Sequence, residues 1–334
     1  MTHPRMLLPI ILLILVMGSA ARGESHVIGA VGERPLALEL VVPAGDGPHP
    51  LLIWIHGGGW RGGDHLNMPG FTESALDAGF AVASLDYRLT SEAGLWGDAP
   101  VTWPAQLHDC KAGIRWLRAN AGVQGLDPDR FVAWGHSAGG HLAAMIGTTA
   151  DDPALEGEIG PHLGTSTRVA VAVTFSGPSN LLTMNDDVTV PPGSKIDHEA
   201  IDSPESRLIG SAVHGHSLGD IRDRIEEEQA PWPELVAAVR SASPVEQVDA
   251  DDPVVIWIAH GARDRLVSLN QAVRLEQACL EHGVRHATDY HAQAGHGLPA
   301  AAFRTVLSWL PKTLSGAGAG HPDSTSDGRN RLAD

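Results

Sequence analysis

The chain has 334 residues, with 23 Lys and Arg against 40 Asp and Glu, for a formal net charge of −17. At 43% hydrophobic and 19% charged residues the composition is that of a folded globular protein, which excludes wholesale disorder. A balance this acidic repels phosphate backbones and polyanions, so nucleic-acid binding is excluded as the main activity.

The chain opens on a targeting pattern. Arg5 precedes an apolar run over residues 6–17, and small residues follow over 18–21. About twelve apolar residues are too few to span a bilayer and suit a cleaved secretory signal, assigned to residues 1–23. The expected product is secreted or periplasmic, with no stable membrane insertion once the signal is removed. An oxidising compartment permits a disulfide, but Cys110 and Cys279 are the only cysteines and both fall in helix-like stretches. Two buried free thiols are expected.

Over residues 24–314 apolar runs alternate with helix-like stretches. Strands are expected at 36–42, 51–56, 80–86, 131–135, 169–175, 254–259 and 286–291, and helices at 70–78, 103–121, 138–148, 269–282 and 300–310. Continuously apolar runs such as Val169-Ala-Val-Ala-Val mark strands covered on both faces. The order predicts an α/β fold, one domain built on a mostly parallel, doubly wound sheet. Residues 178–252 break the alternation: they are acidic, punctuated by proline and helix-like only at 217–229 and 232–241. Too long for a loop, this stretch reads as an inserted cap over the carboxyl ends of the strands, where sites of parallel sheets sit. Residues 315–334, rich in Gly, Ser, Asp and Pro, read as a disordered tail.

Two segments match G-x-S-x-G, around Ser137 (Gly135 to Gly139) and around Ser217 (Gly215 to Gly219). A chain this rich in glycine yields the pattern by chance roughly 0.3 times, so context must choose. A nucleophile elbow needs a strand before the serine and a helix directly after it. Ser137 follows Arg130-Phe-Val-Ala-Trp and opens a compact stretch of small and apolar residues. Ser217 precedes Asp220-Ile-Arg-Asp-Arg, a charged surface pattern, and reads as a helix N-cap. Ser137 is therefore the expected nucleophile. The strand at 51–56 runs into His56-Gly57-Gly58-Gly59-Trp60, whose glycines let the backbone close on a carbonyl. Gly57 and Gly58, with the N–H of Ala138, form the expected oxyanion hole.

Of 18 histidines, His296 lies between Gly295 and Gly297 after the last strand and is the expected base. His291 comes second, because it falls within that strand. Asp264, in the loop after the strand at 254–259, is the expected orienting acid, with Asp289 as competitor. Asp251 and Asp252 precede the strand, at its wrong end. Trp60, Trp96, Trp103 and Trp232 fall in or near loops and the insertion, where an indole could stack on a sugar or hold an acyl group. Trp54, Trp116, Trp134 and Trp257 fall inside strands or helices and are expected in the core.

Three segments carry a resemblance that covers roughly residues 35–311: His56-Gly-Gly-Gly-Trp-Arg-Gly-Gly-Asp64, Gly135 to Gly139, and Asp202-Ser-Pro-Glu-Ser-Arg-Leu-Ile-Gly210. They resemble the α/β-hydrolase fold esterases and lipases of the hormone-sensitive-lipase-like type, and most of all the bifunctional feruloyl/acetylxylan esterases. The resemblance implies hydrolysis of carboxylic esters, often decorations on plant polysaccharide, without cofactor or metal. It implies a triad of Ser137, Asp264 and His296, an oxyanion hole of Gly57, Gly58 and Ala138, and a small-molecule or carbohydrate ester as substrate. The acidic stretch between 182 and 201 departs from the family pattern and bears on acceptor choice. A peptidase on this fold usually carries a propeller domain. The alternatives that stand are an arylformamidase-like amide hydrolase and a non-catalytic hydrolase-fold binding protein.

Overall fold

In the structure, a computed structural model, residues 21–316 are described apart from 93, 98, 188–195 and 253. The apolar run of the expected signal, at 6–17, and nearly all of the expected tail lie outside the described residues. In chain order the elements are β1 (Arg22–Val31), β2 (Arg34–Val42), β3 (His49–Ile55), α1 (Thr72–Asp77), β4 (Ala81–Leu85), α2 (Ala105–Ala119), α3 (Ala121–Gln124), β5 (Leu126–His136) and α4 (Ala138–Thr148). Then follow β6 (Val171–Phe175), α5 (Pro204–Ile209), α6 (Leu218–Arg222), α7 (Trp232–Ser241), β7 (Val255–Gly261), α8 (Leu269–His282), β8 (His286–His291) and α9 (Ala300–Leu314).

Period two explains the layers. In β3, Leu51, Ile53 and Ile55 face one apolar cluster while Leu52 faces the other, and β5 splits Phe131 and Ala133 from Val132 and Trp134 in the same way. The first cluster takes the apolar faces of α2, α4 and α8, and the second takes those of α1 and α9. The sheet is thus covered on both sides, which is why its central strands are continuously buried. Strand order is β1-β2-β4-β3-β5-β6-β7-β8, with β1/β2 and β2/β4 antiparallel and all other pairs parallel. Register brings the carboxyl ends together: Ile55 pairs with Gly135, and His136 with Phe175.

Some expectations shift. β1 has no counterpart among the expected strands, and its start at Arg22 falls inside the segment 1–23 read as a signal. The helix expected at 217–229 runs only from Leu218 to Arg222, because the like charges of Glu226, Glu227 and Glu228 follow where the helix dipole disfavours them. The insertion between β6 and β7 does not stand off as a separate cap. Its Leu208, Leu218, Ile221, Leu235 and Val239 are buried in the same cluster as one face of the sheet. Both cysteines are buried and free. Among the described residues no helix is long and apolar enough to cross a membrane.

Candidate active site

β5 ends at His136, and the chain turns at once into α4, leaving Ser137 at φ 58°, ψ −124°. Only a strained turn puts a side chain at that point, and it is locked there by the Ser137 N–H donating to the Phe175 carbonyl at 2.8 Å. The flanking glycines are steric necessities. A Cβ on Gly135 would strike the Gly139 carbonyl, and one on Gly139 would strike the Ile55 carbonyl. Ser217, by contrast, caps α6, accepting from the Asp220 N–H at 3.0 Å while Asp220 accepts from the Ser217 N–H at 2.9 Å.

The loop after β3 passes directly over the serine: a Cβ on Gly57 would lie 3.2 Å from that of Ser137. Gly58 takes φ 121°, outside the reach of other residues, and its carbonyl accepts the N–H groups of Arg61 and Gly62. The Tyr87 hydroxyl donates to the His56 carbonyl at 2.9 Å, with the two rings stacked, and so holds the base of the loop.

His296, between β8 and α9, lies with Nδ1 2.7 Å from Asp264 Oδ2. The carboxylate can only accept, so Nδ1 carries the proton and Nε2 is left to act as a base. Asp264 also accepts the N–H groups of Leu266 at 2.9 Å and Val267 at 3.0 Å, and His260 Nε2 lies 3.3 Å from its Oδ2. Burial alone would raise the Asp264 pKa, but hydrogen bonds from His260 and His296 hold it well below the usual carboxylate range. His136 Nε2 donates to the His296 carbonyl at 2.7 Å and its ring leans on that of His296. The residue before the serine therefore fixes the place of His296, and burial keeps its own imidazole below its ordinary pKa.

Gly57, Gly58, His136, Ser137, Ala138 and His296 line one cavity of about 500 Å³. The structure thus brings five of the six residues singled out for the triad and oxyanion hole to one cavity, with the sixth, Asp264, behind His296. Asp289 and His291 pair with each other at 3.1 Å on β8 and do not line this cavity.

The tryptophan expectation is corrected for Trp96, Trp103 and Trp232. Trp60 lines the cavity but is 1% exposed, its indole N–H donating to His141 Nδ1 at 3.2 Å. Trp103 is buried and donates to Ser241 Oγ at 2.8 Å, and Trp232 lies on α7 against Arg224 and His216. Trp96 donates to Glu92 Oε2 at 2.7 Å beneath the Arg34 guanidinium. None of these last three lines the cavity. These indoles fasten loops and insertion instead of offering free faces. Trp134 and Trp257 are buried as expected, and Trp54 and Trp116 pack against the two clusters.

Sequence reasoning missed the residues that support the site. His136 is a variable position of G-x-S-x-G, His141 and His260 carry no motif, and each is recognisable only by the carbonyl or carboxylate that the fold puts beside it. Glu205 lies in the segment 202–210, but nothing in that segment says that it lines the cavity.

An eight-stranded, mostly parallel sheet with a serine at the β5–α4 turn defines an α/β-hydrolase fold. The chain belongs to the BD-FAE family, whose model matches residues 38–279. It is 30% identical over 226 residues to Esterase LipC of Mycobacterium tuberculosis, covering 67% of this chain and 47% of that protein. It is 28% identical over 228 residues to the probable carboxylic ester hydrolase LipM of the same organism, covering 68% and 44%. The chain thus spans about half the length of these curated relatives. Among solved structures, a truncated carbohydrate esterase from gut microbiota superposes with a TM-score of 0.68 at 25% identity, covering 87% of this chain and 96% of that one. A propionate-bound thermophilic esterase of Thermogutta terrifontis superposes at 0.63 with 23% identity over 89% and 94%, a likeness of fold.

Proposed function

We propose that this chain is an exported serine carboxylesterase that hydrolyses small acyl esters, acetyl or feruloyl groups on carbohydrate, through an acyl-enzyme at Ser137. The observation that carries the reading is the convergence of Ser137, His296 and the glycine loop on one cavity, with Asp264 2.7 Å behind the base. In the proposed cycle, His296 Nε2 takes the Ser137 proton as Oγ bonds to the ester carbonyl carbon. Charge moves to the carbonyl oxygen, toward the N–H groups of Gly57, Gly58 and Ala138, each worth about 3 kcal/mol in such a hole. The bond to the alcohol oxygen breaks, and that oxygen leaves with the proton held by His296. Water, deprotonated by His296, then attacks the acyl carbon. Ser137 leaves with the proton and the free acid is released. Asp264 stays ionised and stabilises the imidazolium in both halves.

Ester chemistry is supported by the family and by relatives named esterases, and the carbohydrate part by the neighbour named a carbohydrate esterase. A cavity of about 500 Å³ suits a small acyl group with part of its alcohol. Export rests on the pattern of residues 5–21. The test is a panel of acetyl, butyryl, feruloyl and glucuronoyl esters, with fluorophosphonate labelling alongside. Wild-type protein and Ser217→Ala should hydrolyse and label, with Ser217→Ala less stable by about 1 kcal/mol for the lost cap. Ser137→Ala should do neither. Turnover retained in Ser137→Ala, or lost in Ser217→Ala, sinks the assignment.

A further inference from the structure

The wall of the cavity contains a buried ion pair that the reaction above leaves unused. His198 and Glu205, 2% and 3% exposed, line the same cavity as Ser137 and His296. His198 Nδ1 lies 2.9 Å from Glu205 Oε1, and its Nε2 lies 2.9 Å from the Leu266 carbonyl. Both partners can only accept, so both ring nitrogens donate and the ring is an imidazolium. Burial opposes that charge, yet the Glu205 carboxylate holds the pKa above its ordinary value.

This arrangement uses one carboxylate oxygen. Glu205 Oε2 is buried and has no hydrogen-bond partner among the described residues. A buried acceptor left bare costs free energy that a ligand donor would recover. The charge is already matched by His198, so an ammonium group gains little there, and a second anion is repelled. The complementary ligand group is a neutral O–H.

We propose that Glu205 is a specificity-determining residue, whose Oε2 accepts a hydrogen bond from a hydroxyl of the bound ester. The inference rests on Ser137 being the nucleophile of that cavity. It selects esters that carry a free hydroxyl within reach of the scissile carbonyl, either on a sugar alcohol part or on a phenolic acyl part.

Two substrate pairs separate these sources: an acetylated methyl glycoside with its deoxy analogue, and methyl ferulate with its O-methyl ether. Wild-type kcat/KM should favour the hydroxyl-bearing member of at least one pair by about 10- to 100-fold, the discrimination lost when a buried polar group goes unpaired. Glu205→Gln should bring that ratio toward one. Its amide oxygen must face the His198 N–H, which turns the NH2 group toward the cavity and removes the acceptor. A purely structural role would lower both members equally and leave the ratio in place, which would overturn the proposal. Equal wild-type rates within both pairs, with fluorophosphonate labelling intact, would overturn it without any variant. Failure of the wild-type protein to label at Ser137 would instead overturn the nucleophile assignment, and this inference with it.

Discussion

Ser137 keeps a backbone conformation that a residue with a Cβ adopts at a cost of about 1–3 kcal/mol. The surrounding contacts hold it there: the Phe175 carbonyl on its N–H and two glycines that admit the crossing backbones. This strain is separable from the chemistry. Ser137→Gly and Ser137→Ala should both abolish hydrolysis, but the glycine variant should be the more stable by about 1 kcal/mol, because only alanine keeps the clash. Denaturant midpoints with equal m-values would measure the difference, and equal stabilities would mean that the turn is relaxed. In the proposed cycle Asp264 acts by orientation, from 2.7 Å behind His296. Asp264→Asn leaves the shape intact but presents an N–H to His296, which favours the tautomer with the proton on the wrong nitrogen. By analogy with the serine-protease acid, kcat should fall by about 10⁴-fold with little change in KM. A fall of less than about tenfold would return Asp289 to consideration as the acid.

Elements explain how a loop-built site stays rigid. His141 on α4 accepts from the Trp60 indole and donates from Nε2 to the Ala242 carbonyl at 2.7 Å, while Trp103 holds Ser241 next to it. One buried imidazole therefore ties the glycine loop, α4 and the end of α7. Burial pushes its pKa down from 6.5 to about 4. The folded pKa lies below the unfolded one, so below pH 6.5 the unfolded chain takes up a proton that the folded chain refuses. His141 thus contributes fully above that pH and progressively less down to about 4, on the order of 3 kcal/mol in all. Thermal midpoints should fall more steeply for wild-type protein than for His141→Gln across this window. Parallel curves would show that the ring is protonated in the folded state. The latch was illegible in the sequence, since Trp60 and His141 are far apart along the chain and His141 and Ala242 farther still. The central strands and the helices α4, α7 and α8 were legible because burial on two faces writes continuous apolar runs, and burial on one face writes a helical stripe. β1 was not, because it is an edge strand in which only Ile28 is buried, so no alternation is imposed on it. Ser137, Asp264 and His296 stood out because each sits just past a strand end, two of them beside glycines. The role of an indole depends on what folds over it, and strand periodicity carries no such information.

At the scale of the whole molecule, the net charge of −17 acts on what approaches the cavity. The insertion carries a dense share of it, including Glu226, Glu227 and Glu228, on the chain segment that also supplies His198 and Glu205 to the cavity wall. Within the wall Glu205 is matched by His198, which leaves one net positive charge, on the exposed Arg61. An exposed guanidinium gives an anion little net reward, and the long-range field decides how often one arrives. That field is screened over about 8 Å at physiological ionic strength, so salt should expose it. For a matched pair of esters, one neutral and one carrying a carboxylate away from the scissile bond, kcat/KM should be lower for the anion at low salt. It should rise several-fold with added sodium chloride, while the neutral ester stays within about twofold and kcat changes for neither. If the anionic ester is preferred at low salt, or loses rate as salt is added, then Arg61 outweighs the acidic surface and the cavity is built to receive an anion.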